Sequence, residues 1–176
     1  MEKKGWLLLL FGLVFLGHIS GLFVDILEID AAQYASISRE MADNGSFLQI
    51  KHRTHDYLDK PPLLFWLTSF FFSIFGVSPI IYKLPSFIFA LVGVYFTFLS
   101  GKKVFNERVG ILSSLFLFSS FAYFSITNDV KTDTILVGCI AGSIYYILSY
   151  FKKQRIGYII GGFVCIGLGM LSKGPI

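Results

Sequence analysis

The sequence has too little charge to clothe a soluble domain. Asp, Glu, Lys and Arg make up 15% of its 176 residues, hydrophobic residues 55%, and the mean hydropathy is +0.70. A water-soluble fold of this length needs a polar skin that such a composition cannot supply, so the reading begins from a membrane protein. The few charges stand in clusters between long uncharged runs. A net charge of +4 is therefore a topology signal rather than a nucleic-acid footprint, and no nucleic-acid partner is expected. Cysteine is equally scarce. Cys139 and Cys165 both lie inside apolar runs, without C-x-x-C spacing, which excludes a disulfide framework and a zinc pattern and leaves two small hydrophobes.

What is present is a series of uncharged runs: Gly5–Val24, Pro61–Tyr82, Leu84–Gly101, Val109–Asn128, Thr134–Phe151 and Ile156–Ser172. Each approaches the ~20 residues that cross ~30 Å of hydrocarbon. The first is longer than the ~7–15 residues of a signal-peptide core and no A-x-A site follows, so it reads as an uncleaved span. Three basic clusters, Glu2-Lys3-Lys4, Lys102-Lys103 with Arg108, and Lys152-Lys153 with Arg155, should all face the cytoplasm. Six crossings would split them between the two sides. Five crossings unite them if the run after Pro61 does not cross. That run is also the weakest, because Gly76-Val77-Ser78-Pro79 cuts it to Leu63–Phe75, the length of an interfacial or re-entrant helix. The expectation is an all-α, polytopic bundle with spans at about 5–24, 80–101, 109–128, 134–151 and 156–172. Two juxtamembrane helices, at about 31–43 and 63–75, would lie in the first outer loop.

This topology gathers acids, and two lysines that break the positive-inside bias, at one outer face. In "DAAQYASISREMADNG", Asp30 and Gln33 fit an N-cap and N3 pair, and Asn44-Gly45 fits a helix stop. Tyr34, Ile37 and Met41 form a stripe at helical spacing, as in an amphipathic helix lying on a bilayer. Asp30 can be read as a cap alone, and Asp129, Lys131 and Asp133 as a plain polar turn. Lys173 ends a span with four glycines, Gly161, Gly162, Gly167 and Gly169, that allow close helix packing; an ionisable group there is a functional candidate or a snorkelling side chain. His52, His55, Asp56 and Asp59 have a spacing that could hold a divalent metal, but a solvated loop explains the run more cheaply, and no cofactor is assigned. Asn44-Gly45-Ser46 is formally a glycosylation sequon that a helix-stop turn explains as well, and His18 reads as facing a neighbouring helix.

Carboxylates at Asp30, Asp59 and Asp133, beside cations at Lys60 and Lys173, suit chemistry in which a base activates a hydroxyl while cations stabilise a departing phosphate. An anion transporter or lipid-carrier translocase could use the same groups. Charges in mid-span would favour that rival, and the ionisable residues read as lying at span ends. A structural subunit without chemistry is the third reading.

Four elements in order carry a resemblance. Residues Asp30 to Met41 read D-A-A-Q-Y-A-S-I-S-R-E-M, followed by Asp59-Lys60-Pro61, Asp133 in Lys131-Thr132-Asp133-Thr134, and Ser172-Lys173-Gly174. This pattern resembles the polytopic GT-C glycosyltransferases that use lipid-phosphate sugars, of the aminoarabinose–lipid A transferase and protein O-mannosyltransferase type. Those enzymes carry D-E-x-x-Y-A-x-x-S-R-E-M after their first span, then E-K-P, an acid opening a later span, and T-K-G. The resemblance implies an inverting transfer of sugar from a polyprenyl-phosphate donor to an acceptor hydroxyl, at the non-cytoplasmic face of a plasma membrane. Asp30 would be the base and Asp133 a second catalytic acid residue that shapes the site. Lys60 and Lys173 would hold the carrier phosphate, with Tyr34, Arg39 and Asp59 in support. Asp59 would pair with Lys60, and Arg39 would tie the first loop helix to neighbouring carboxylates. The partners implied are the lipid-linked donor, a hydroxyl acceptor and membrane lipid, and the sequence would be the N-terminal portion of such an enzyme. Ala31, Gln33 and Thr134 depart from the pattern, where the family has an acid, a basic residue and proline; these departures bear on which sugar and acceptor are used.

Overall fold

The computed structural model describes residues 2–26, 28–53 and 55–174, with side chains described from residue 5 onward. It is helical nearly throughout. Helix α1 (Glu2–Leu22) leads through a short connector to α2 (Ile29–Asn44), and a two-residue hairpin, β1 (Lys51–His52) and β2 (His55–Asp56), precedes α3 (Leu63–Phe75). Then come α4 (Pro79–Val104), α5 (Glu107–Ser119), α6 (Phe121–Asn128), α7 (Thr132–Lys153) and α8 (Ile156–Ser172).

Local chemistry sets most of these limits. Gly45 ends α2 at φ 67°, donating its N–H to Met41 O, and Gly76 ends α3 at φ 82°. Both need the left-handed backbone that glycine adopts without strain. Ser78 opens α4 by accepting the Ile81 N–H, with Pro79 at the first helical position where its missing donor is harmless. Asn106 caps α5 in the same way through the Val109 N–H.

Among the described residues three helices, Gly5–Leu22, Pro79–Val104 and Thr132–Lys153, are long and apolar enough to cross a membrane; α5 with α6 makes a fourth if the bent pair is one span. At 17 residues α8 is shorter. Large apolar side chains face outward along the bundle, Trp6, Leu8, Phe116 and Phe163 among them, as a bilayer solvent demands. Close packing uses glycine: a Cβ on Gly101 would come within 2.8 Å of Gly110 Cα, which lets α4 and α5 touch backbone to backbone.

The elements alternate in direction, so one end of the bundle collects the end of α1, all of α2 and α3, and the α4, α6–α7 and α8 termini. Lys83 near the start of α4 reaches carbonyls at the end of α1, and Ser172 at the end of α8 reaches the Thr132 carbonyl at the start of α7. The main core lies at this end. Ile37, Leu64, Phe65, Val130 and Ile135 are fully buried there, whereas a second, smaller cluster around Ala90, Phe118 and Tyr123 holds the middle.

Three expectations are corrected. The stripe Tyr34, Ile37 and Met41 does not lie on lipid; it is buried against α3, with the Tyr34 ring meeting Phe65 edge-on at 5.7 Å. The run 109–128 is not one helix but two, bent by 56° at Ser120. Ser120 has an extended backbone and caps α6 by accepting the Tyr123 N–H, while His18 from α1 bonds through Nε2 to the Phe118 carbonyl beside the break. The N-cap of α2 is Glu28 rather than Asp30. The Glu28 carboxylate accepts the Ala31 N–H at 2.9 Å and pairs with Lys131 at 3.9 Å, so the helix starts before Asp30.

Candidate functional site

The helix end that collects the connectors also carries every candidate residue. Asp30 is in the first turn of α2 and exposed. Asp59 and Lys60 precede Pro61-Pro62, whose fixed geometry starts α3 at Leu63. Asp133 is in the first turn of α7, and Lys173 immediately follows α8.

An open cleft of about 560 Å³ lies between the β-hairpin region, the start of α3 and the end of α8. Asp56, Tyr57, Asp59, Lys60, Trp66 and Lys173 are among its walls. Trp66 is fixed by donating its indole N–H to the Phe47 carbonyl at 2.6 Å, and Gln49 is fixed on Asp56 at 2.7 Å. Lys173 donates from Nζ to Asp133 Oδ1 at 2.8 Å, which brings the α7 acid to the same wall. An ammonium has three N–H donors, so this bond leaves Lys173 two for a ligand. A second, mainly apolar groove of about 310 Å³ runs between α7 and α8 past Leu136, Cys139, Cys165 and Met170, and it too ends at Lys173 and Gly174.

Asp30 is not in the cleft wall; its charge acts on Tyr57, which is. Tyr57 lines the cleft, and its hydroxyl pairs with that of Tyr34. Burial first, then the charges of Asp59 and Asp30, push the Tyr57 pKa up, so both carboxylates act on the one phenol. Burial, then Tyr57 itself and the charges of Asp30 and Glu28, push Tyr34 far above its usual range. The two phenols therefore stay neutral donors between the carboxylates and the core.

Other candidates do not join. Arg39 pairs with Asp43 one turn along α2 at 3.7 Å, both two-thirds exposed, rather than with a cleft carboxylate. Asp59 and Lys60 are neighbours in the cleft wall but form no ion pair among the described residues. His52 and His55 face one another across the hairpin, with His52 hydrogen-bonded to Gln33 at 3.4 Å, and no three His, Cys, Asp or Glu side chains converge as metal ligands among the described residues.

Sequence reasoning missed Lys83. It is buried in the first turns of α4, with Nζ donating to the Gly21 and Val24 carbonyls at 3.0 and 2.8 Å. It stands beside proline and aromatic residues in a run that reads as plain span, and only the tertiary contact with α1 reveals its use. His18 is another buried ionisable group within a helix; it and Lys83 are both engaged by carbonyls of neighbouring elements.

A helical membrane bundle with carboxylates, lysines and tyrosines gathered around a cleft at one end defines the class: an integral membrane protein of the GT-C transferase fold. Residues 59–176 match the family described as dolichyl-phosphate-mannose-protein mannosyltransferase, and the chain belongs to that family. An undecaprenyl phosphate-alpha-4-amino-4-deoxy-L-arabinose arabinosyl transferase of Wigglesworthia glossinidia brevipalpis is 30% identical over 85% of this chain and 28% of its own length. The transferase of the same name from Serratia proteamaculans is 27% identical over 98% of this chain and 32% of its own length. An uncharacterised protein of Aquifex aeolicus is 25% identical over 81% of this chain and 29% of its own. The crystal structure of ArnT from Cupriavidus metallidurans in the apo state superposes with a TM-score of 0.86 at 20% identity, covering 99% of this chain and 34% of that one. That likeness carries the fold. The chain thus spans about a third of the length of the relatives it matches.

Proposed function

We propose that the chain forms part of an integral-membrane glycosyltransferase that moves a sugar from a polyprenyl-phosphate donor to an acceptor hydroxyl, with inversion. Five crossings, with α2 and α3 at the non-cytoplasmic face, would set the cleft on that side and the clusters around Lys103 and Lys153 in the cytoplasm. The observation that carries the reading is the meeting of two cavities at Lys173: a cleft with the charged groups of Lys60 and Lys173 in its wall, and an apolar groove between α7 and α8. A phosphate with an isoprenoid tail has those two halves in that order.

In the reaction, Asp30 takes the proton of the acceptor hydroxyl as its oxygen attacks the anomeric carbon from the side opposite the phosphate. The sugar–phosphate C–O bond breaks with its electron pair going to phosphate. Lys60 and the two free donors of Lys173 face the charge that grows there. Asp133 orients Lys173, and Asp59 shapes the sugar side of the cleft. Tyr34 and Tyr57 couple Asp30 to the buried α2–α3 interface. The names of the relatives support a donor linked to undecaprenyl phosphate and a pentose substituent; the mannosyltransferase family keeps a hexose open.

Thermal-shift titration of the detergent-solubilised protein with undecaprenyl phosphate tests the carrier site. A rise in midpoint that follows RT ln(1 + [L]/Kd) and disappears in Lys60→Ala is expected. No rise in folded wild-type protein, in this chain and in the full-length reading frame alike, removes the carrier reading. Asp30→Asn in the full-length protein should end transfer from the undecaprenyl-phosphate aminoarabinose donor while carrier binding persists.

A further inference from the structure

Two consecutive residues of α4 hold both ends of the segment that presents Asp30. Lys83, only 2% exposed, donates to the carbonyls of Gly21, in the last turn of α1, and Val24, in the connector. Tyr82, only 1% exposed, donates its hydroxyl to the Ala31 carbonyl at 2.7 Å, inside the first turn of α2 and next in sequence to Asp30. The bonds reach across 62, 59 and 51 residues of sequence, so none is local helix chemistry. Helix ends leave carbonyls without intrahelical partners, and a buried ammonium is well suited to the end of α1. The Ala31 carbonyl is different: it belongs to the start of a helix, where carbonyls already accept intrahelical bonds, so the Tyr82 hydroxyl is an added tether.

We propose that Tyr82 and Lys83 are positioning residues that clamp the α1–α2 connector and so fix Asp30 in the first turn of α2. The inference rests on the reading of Asp30 as base for its catalytic consequence, but the clamp itself is independent of that reading. Neither residue touches the cleft. Both act through backbone carbonyls, so their loss should free α2's first turn without disturbing the lysines that face the carrier phosphate.

The test uses Tyr82→Phe, which deletes one oxygen, and Lys83→Met, with Lys83→Arg as the charge-retaining variant, all in the full-length protein. Hydrogen exchange at amides 31–34 should quicken by about tenfold in Tyr82→Phe and Lys83→Met, the scale of one buried hydrogen bond, and recover in Lys83→Arg. The midpoint rise induced by undecaprenyl phosphate should hold, while transfer to lipid A loses apparent acceptor affinity and rate. Unchanged exchange at 31–34 overturns the clamp. So does a parallel loss of carrier-induced stabilisation, which would mark general destabilisation. If Asp30→Asn still turns over normally, the base reading falls alone, because exchange at 31–34 judges the clamp without reference to activity.

Discussion

Lys173 and Asp133, 40 residues apart, meet at 2.8 Å where α8 ends and α7 begins. Both side chains are about a third exposed, at 32% and 38%, so water screens the pair and its share of stability is under ~1 kcal/mol. Its importance is one of aim. Lys173→Met should leave the thermal midpoint of the unliganded protein within a few degrees of wild type. It should weaken undecaprenyl phosphate binding by roughly 10- to 100-fold, the ~1.5–3 kcal/mol of a hydrogen bond to a charged group. Asp133→Asn keeps the ammonium but loosens it, and should lie between. Equal affinity in all three proteins would remove Lys173 from the carrier site.

Phe65 is the hinge of the α2–α3 interface. Fully buried, it meets Tyr34 at 5.7 Å and Tyr57 at 5.8 Å, both edge-on. Phe65→Ala should destabilise by about 3–5 kcal/mol through lost burial and the void left behind. Phe65→Leu, which fills most of the volume, should lose about half of that or less. Reversible denaturation in mixed micelles measures both. Near-equal values would mean that the interface can collapse, and that α2 is held mainly by its connector.

The contrast between α3 and α2 shows what the sequence could reveal. Helix α3 was legible because its apolar run is bounded by Pro61-Pro62 and Gly76, signals local to the chain. Gly45 marked the end of α2 equally well. The start of α2 was not legible, because glutamate is a poor cap by type and Glu28 earns the role through Lys131, 103 positions later. The bend at Ser120 lacks proline or glycine, and the buried Phe118 carbonyl beside it finds a donor in His18, 100 residues away. The individual candidates Asp30, Lys60, Asp133 and Lys173 stood out as charges in an apolar chain. The meeting of Lys60 and Lys173 in one cleft wall, with Asp133 bonded to Lys173, and the pairing of Arg39 with Asp43 instead, depended on helix register that no local pattern encodes.

The Tyr34–Tyr57 pair makes stability depend on alkaline pH. Both phenols have pKa values raised in the folded state, by burial first and by nearby acids after it, above the ordinary value of 10.0. A raised folded-state pKa means that the unfolded chain loses the proton first. The contribution is therefore complete below about pH 10 and is lost as pH climbs through the folded-state values. The thermal midpoint should fall more steeply above pH 10 in wild type than in Tyr34→Phe, measured under matched salt and detergent. Parallel profiles would show that this pair does not carry the alkaline loss.

Gly21 carries the last prediction, because α1 and α6 touch through it. A Cβ at this position would overlap Asn128 Oδ1, which forces the amide to move. That amide donates to the Phe124 carbonyl at 2.9 Å, while its buried oxygen has no partner among the described residues. Gly21→Ala gains helix propensity in the last turn of α1, yet should destabilise by about 1–3 kcal/mol through overpacking. Asn128→Ser frees the space and removes the unpartnered oxygen, so the double variant should regain most of the loss. Residues in contact couple by ~0.5–3 kcal/mol, and a cycle built from these four proteins measures that coupling directly. Additive effects would show that α1 shifts away bodily, in which case the Lys83 bonds to Gly21 and Val24 should weaken too, and exchange at 31–34 should rise in Gly21→Ala as it does in Lys83→Met.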